Sequence, residues 1–212
     1  MSESAFVVSS EAALRDRYLE PTAAVRSKDR GKVDPKAAEF IAACPLVVLA
    51  TADASGADAS PRGGPPGFVR VIDPNTLAFA DLSGNNRLDS YSNIVSAPEV
   101  GMLFLVPGVE ETLRVNGVAS VSTDPDVLDQ VAFDSTTPKV AVVVGIRECY
   151  IHCGKAIRRS GVWDPASWPD SADRPDGAEV IVDQFSLDVT PSAVAADLEV
   201  GYRTTLWEPG GQ

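Results

Sequence analysis

The chain has 212 residues, 44% of them hydrophobic and 23% charged, enough to bury roughly 70% of the surface of the unfolded chain around one core. Disorder is therefore not expected, and no apolar run comes near the ~20 residues of a membrane-spanning helix. Eighteen basic against thirty acidic residues give a net charge of −12, which repels polyphosphates and anionic bilayers, so neither nucleic acid nor membrane is an expected partner.

The opening Met1 to Ser10 lacks the basic start and apolar block of a secretory signal, and with three sparse cysteines, Cys44, Cys149 and Cys153, this implies a reducing, cytoplasmic setting. A short polar helix is expected over Glu11 to Leu19, then a charged loop at Lys28 to Lys32, then a second helix with Asp34 as cap and Pro35 in its first turn. From Leu46 the pattern turns to β-branched runs: LVVLAT, FVRVI, TLAFA, VGMLFLV, TLRVNGVASVS and VAVVVGIRECYIHC. Six strands joined by short turns such as Asp73-Pro74-Asn75 suit antiparallel neighbours in a small closed barrel with helices outside.

Two helices interrupt the strands, one over about Arg87 to Ser96 and one over Asp124 to Ala132. The Pro- and Asp-rich stretch 164–177 reads as a long loop, followed by a strand-like segment at Val180 to Val189 and a final helix over Pro191 to Leu198. One domain is expected, with N-terminal helices in 10–43 and a C-terminal extension over 164–212 that carries ten acids and two bases from residue 160 onward.

Four segments could carry chemistry. LAFADLSGNNRLDSYSNI runs from a strand through Gly84, Asn85 and Asn86 into a helix expected to begin at Arg87, an arrangement that offers free N–H groups and a guanidinium to an anion. The alternative is an ordinary capped turn. In ASPRGGPPGFVR, Arg62 ends a strand before a stiff Gly/Pro loop that could wall a flat ligand or merely turn the chain. In ETLRVNGV, alternation sends Thr112, Arg114 and Asn116 to one face, a site lining or a wet sheet face. In CYIHCGKAIRRSGVW, strand geometry sends Cys149 and Cys153 one way and His152 the other with no further ligands downstream, so no metal is expected. Here Lys155, Arg158 and Arg159 on a short helix are better placed to hold an anion, and His152 reads as structural.

In series, SPRGGPPGF, GNNRLDSYSNI, PGVEETLRVNGVA and HCGKAIRRSGVW resemble the pyridoxamine 5′-phosphate oxidase-like superfamily, over about residues 10 to 165. The resemblance implies a six-stranded antiparallel FMN-binding split β-barrel with flanking helices, an oxidoreductase, and a homodimer with flavin between subunits. It gives Arg62 as a flavin or phosphate contact, Asn86 and Arg87 as the phosphate grip, Asn85 and Ser90 as lesser contacts, and Thr112 and Arg114 as cofactor-facing strand residues. Lys155, Arg158 and Trp163, with Phe68, are candidates for the exposed flavin face, where a small-molecule substrate and NAD(P)H would meet the ring. The lysine that follows the first arginine in the oxidase proper is missing here, and Thr112 replaces its cofactor-facing glutamine. Vitamin salvage is therefore not the expected activity. A non-catalytic flavin carrier or sensor, or a barrel holding deazaflavin or haem, remains the alternative.

Overall fold

A computed structural model describes residues 6–133 and 136–210. Three short helices come first, α1 (Glu11–Arg15), α2 (Ala23–Arg26) and α3 (Pro35–Ala42). The α3 start follows the capping logic: the Asp34 carboxylate accepts from the N–H groups of Lys36 and Ala37, both at 2.9 Å. Ala37 and Ile41, one turn apart, are the buried face of this helix. By contrast α1 buries nothing and stops at Arg15, short of the expected Leu19, because no apolar face anchors a longer helix.

Seven antiparallel strands follow: β1 (Leu46–Asp53), β2 (Gly56–Gly63), β3 (Arg70–Asp73), β4 (Thr76–Ala80), β5 (Glu99–Leu105), β6 (Thr112–Ser122) and β7 (Ala141–His152). They form one sheet in the order β2-β1-β5-β6-β7-β4-β3. The count is seven rather than six because the segment after the Asp53 to Gly56 turn pairs along its whole length with β1, from Asp53 opposite Gly56 to Leu46 opposite Gly63. The sheet curls into a barrel without closing: β2 and β3 are its two ends, which makes it a split barrel rather than a closed one.

Its interior is filled by alternate residues of the strands, with Val47, Leu49, Leu77, Phe79, Phe104, Val115, Val142 and Val144 inaccessible to solvent or nearly so. Val33, Ala37 and Ile41 pack onto this core from the α3 side, and Ile94 from α4 (Asp89–Ser96). A smaller cluster, Ala78, Val131 and Ala141, lies where α5 (Pro125–Val131) covers β4 and β7.

After β7 come α6 (Lys155–Ser160), two single 3₁₀ turns within 165–173, then α7 (Gly177–Gln184) and α8 (Pro191–Thr205). The expected strand at Val180 to Val189 is instead helix to Gln184. Asp176 caps it, accepting from the Ala178 N–H at 2.8 Å, and this local bond outweighs the β-branched composition. The last helix extends to Thr205 rather than Leu198 and buries Val194. No helix among the described residues is long and apolar enough to cross a membrane.

Candidate functional site

β2 and β4 are separated in the sheet by β1, β5, β6 and β7, yet their C-terminal ends meet across the open seam of the barrel. Between them lies a cavity of about 600 Å³, lined by residues 60–64 of β2 and its exit, Phe68, residues 79–91, and Leu206, Trp207 and Gly210 from the C-terminal segment. This is within the usual range of small-molecule and cofactor sites, about 300–1,000 Å³.

Arg62 reaches the cavity from β2. One terminal nitrogen donates to the Pro61 carbonyl at 2.8 Å, and the guanidinium carbon lies 5.9 Å from the Tyr91 ring centroid. Its Nε is buried with no hydrogen-bond partner, a cost that a ligand acceptor would remove. Tyr91 donates its hydroxyl to Asp81 at 2.5 Å. Burial first, and the Asp81 carboxylate second, push the phenol pKa well up, so Tyr91 stays a protonated donor.

The connection from β4 to α4 forms the opposite wall. Asn86 and Leu88 adopt left-handed backbone, φ 58° and 59°, which is unfavourable for a leucine and is held only because the surrounding turn fixes it. Asn85 Oδ1 accepts from the Arg87 N–H at 3.0 Å. Because Leu88 takes the cap position, α4 begins at Asp89, two residues later than expected, and its first turn has no side-chain cap. The Arg87 side chain is 71% exposed and its Nε donates to Asp89 Oδ2 at 2.8 Å. Gly84 faces open space on the cavity wall. Ser90 is buried, its hydroxyl 3.3 Å from that of Ser60, and this contact ties α4 to β2.

Arg62, Phe68, Gly84, Asn85, Asn86, Arg87 and Ser90 therefore converge, whereas Thr112, Arg114, Lys155, Arg158 and Trp163 do not line this cavity within one chain. Thr112 lies opposite His152 across β6 and β7, and Arg114 donates to the Tyr150 hydroxyl at 3.1 Å. Lys28 Nζ sits 4.3 Å from the Tyr150 ring centroid. Burial, then the charges of Arg114 and Lys28, lower the His152 pKa, and its Nε2 is buried without a partner.

Arg158 lines a separate hollow of about 320 Å³ with Trp163 and forms a two-pronged pair with Glu110, at 2.6 Å for the closest contact. Trp163 donates its indole N–H to the Val109 carbonyl at 2.9 Å. Lys155 opens α6 and lines neither space. Cys149 is buried and Cys153 exposed. Burial and the nearby carboxylates of Asp34 and Asp29 push the Cys149 thiol up to about 11. Among the described residues no group of three His, Cys, Asp or Glu side chains could hold a metal.

The sequence reading did not single out Asp81, Tyr91, Leu206 or Trp207, and it assigned Phe68 to the flavin face without placing it on this wall. Asp81 and Tyr91 sat inside a segment already marked, but nothing in the sequence shows that these two residues, ten positions apart, pair. Nothing local marks 206–207, since their role comes from chain return.

The family model described as pyridoxamine 5′-phosphate oxidase matches residues 33–153, more than half of the chain. No curated protein sequence matches it. Solved structures resembling it include a variant of HupZ from Group A Streptococcus, at 16% identity and TM-score 0.47, covering 57% of this chain and 99% of that one. A Lactobacillus delbrueckii protein assigned provisionally as a pyridoxamine 5′-phosphate oxidase has 27% identity and TM-score 0.43, covering 58% of this chain and 98% of its own. An FMN-binding protein of Syntrophomonas wolfei has 17% identity and TM-score 0.43, covering 56% and 87%.

Proposed function

The chain belongs to the pyridoxamine 5′-phosphate oxidase family, and we propose that it binds FMN noncovalently in the seam cavity and is an FMN-dependent oxidoreductase acting on a small-molecule substrate, with NAD(P)H as candidate electron donor. The observation that carries this reading is the cavity of cofactor size lined by both the 84–87 turn and Arg62, whose buried Nε has no hydrogen-bond partner. The donor set fits a phosphate-bearing ligand: Arg87 and the uncapped first turn of α4 suit the phosphate, and Arg62 suits an acceptor further in.

When bound, the flavin supplies the hydride chemistry. The chain's own residues do the rest. Arg87 leaves Asp89 to bind phosphate oxygens, while Tyr91, held by Asp81, keeps the Arg62 guanidinium in place. Phe68 and Phe79 form an apolar wall that excludes water on one side. The working unit is a homodimer, in which Thr112 and Arg114 of a second copy complete the site that one chain leaves open. The substrate is not that of vitamin salvage, given the missing lysine and the Thr112 replacement.

The test is the absorption spectrum of the purified or reconstituted protein, followed by acid release of the chromophore. Released FMN supports the reading; FAD, haem, a deazaflavin or no chromophore overturns it. Anaerobic bleaching by NADH or NADPH separates a reductase from a carrier.

A further inference from the structure

The family match ends at residue 153, yet the chain returns to the cavity fifty residues later. After α8 the Glu208 N–H bonds to the Thr205 carbonyl at 3.1 Å, and the Ser83 N–H donates to the Glu208 carbonyl at 2.8 Å. Leu82 and Pro209 pair as an antiparallel bridge. Gly210 is buried directly against Asp81, so close that any Cβ would run into the carboxylate. That carboxylate cannot swing aside cheaply, because it holds the Tyr91 hydroxyl. The segment is thus latched to the same Asp81 that orders Tyr91 beside Arg62.

The latch presents Leu206 and Trp207 to the cavity. Trp207 is supported by Phe133, with ring centroids 5.8 Å apart and planes 20° from parallel, yet remains 48% exposed. A large indole stacked on one side and half open beside a cavity offers a flat apolar surface to a ligand ring.

We infer that the 206–210 segment is a wall of the ligand site, with Trp207 as the residue that packs against the ring system of the bound cofactor. This rests on the cofactor reading above. Trp207 acts on the ring and Arg87 on the phosphate, so the two residues are separable by ligand.

The experiment is titration of the wild type and of Trp207→Ala, Trp207→Phe, Gly210→Val and Arg87→Ala with FMN and with riboflavin, each variant first checked for native circular dichroism and cooperative unfolding. Trp207→Ala and Gly210→Val should weaken both ligands by the same factor, about tenfold, while Trp207→Phe, which keeps a flat ring, stays within about threefold of wild type. Arg87→Ala should weaken FMN alone. If wild type binds FMN but Trp207→Ala and Gly210→Val bind both flavins as wild type does, the wall is overturned and the cofactor reading stands. The wall is likewise overturned if Trp207→Phe loses as much as Trp207→Ala. If wild type binds neither flavin, the same variants are titrated with haem and a deazaflavin. Trp207-dependent binding of either retains the wall and removes FMN, and no binding to wild type overturns both.

Discussion

Arg87 does not wait for a ligand as a bare cation. It is paired with Asp89 at 2.8 Å on the surface, and an exposed pair of this kind is worth little and is readily exchanged. A phosphate offers two oxygens in place of one, so Arg87→Ala should weaken FMN by about ten- to a hundredfold and leave riboflavin unchanged, as isothermal titration or fluorescence quenching would read. Lysine at this position should recover only part of the loss, since it keeps the charge without the fork. Equal weakening of both ligands would show that the arginine merely supports the turn.

His152 gives a second test at the same scale, independent of any ligand. Its pKa is lowered from 6.5 by burial and by the Arg114 and Lys28 charges, so in the folded chain it holds a proton less readily than in the unfolded one. As pH falls below about 6.5 the unfolded state takes up the proton first, and the stability His152 contributes is lost as pH drops through its folded pKa. Urea midpoints of the wild type should therefore fall between neutral pH and about pH 5 more steeply than those of His152→Gln. Parallel profiles would remove the assignment.

At the scale of elements, β6 carries an irregularity between Asn116 and Gly117, where its register against β7 shifts. A Cβ on Gly117 would run into the Gly145 carbonyl of β7, backbone that cannot turn away. Gly117→Ala should cost about 1–3 kcal/mol, seen as a lower urea midpoint with an unchanged slope. Sequence legibility follows the same physics of local against distant constraint. The Asp34-Pro35 and Asp124-Pro125 starts could be read because cap and proline act within one turn. β2 was legible only as a strand end at Arg62, because GADASPRG, an edge strand without an apolar face, is held along its length by its partner β1 and not by its own pattern. The Gly84 to Arg87 turn and Arg62 were legible by residue type. Their meeting was not, since it depends on the curl of strands between them. The pairing of Arg158 with Glu110 was not legible, because the two lie 48 positions apart.

For the whole molecule, the outer face of the sheet is the feature to explain. Val48, Leu103, Arg114 and Tyr150 form one row across β1, β5, β6 and β7, and Ala50, Gly101, Asn116 and Glu148 the next. The β1–β5 half is apolar, with Leu46 37% exposed and Leu103 and Leu105 half-buried. A second copy of the chain is the proposed cover. Sedimentation should report about twice 22.3 kDa, and Leu103→Glu should give a monomer with weakened flavin binding. A wild-type monomer that holds FMN fully would remove the dimer from the mechanism.

The cavity joins β2, at one end of the hydrogen-bonded ladder, to β4, the last strand but one at the other, and this shapes how it comes into being. The β1–β2, β3–β4 and β5–β6 hairpins are local, but β1 must find β5 and β4 must find β7, with Thr76 paired to Gly145. Such distant pairings carry loop-closure costs and form late. In refolding from denaturant, helical and hairpin signals should therefore recover first, and capture of added flavin should track only the slowest phase, because half a sheet has no seam to bind in.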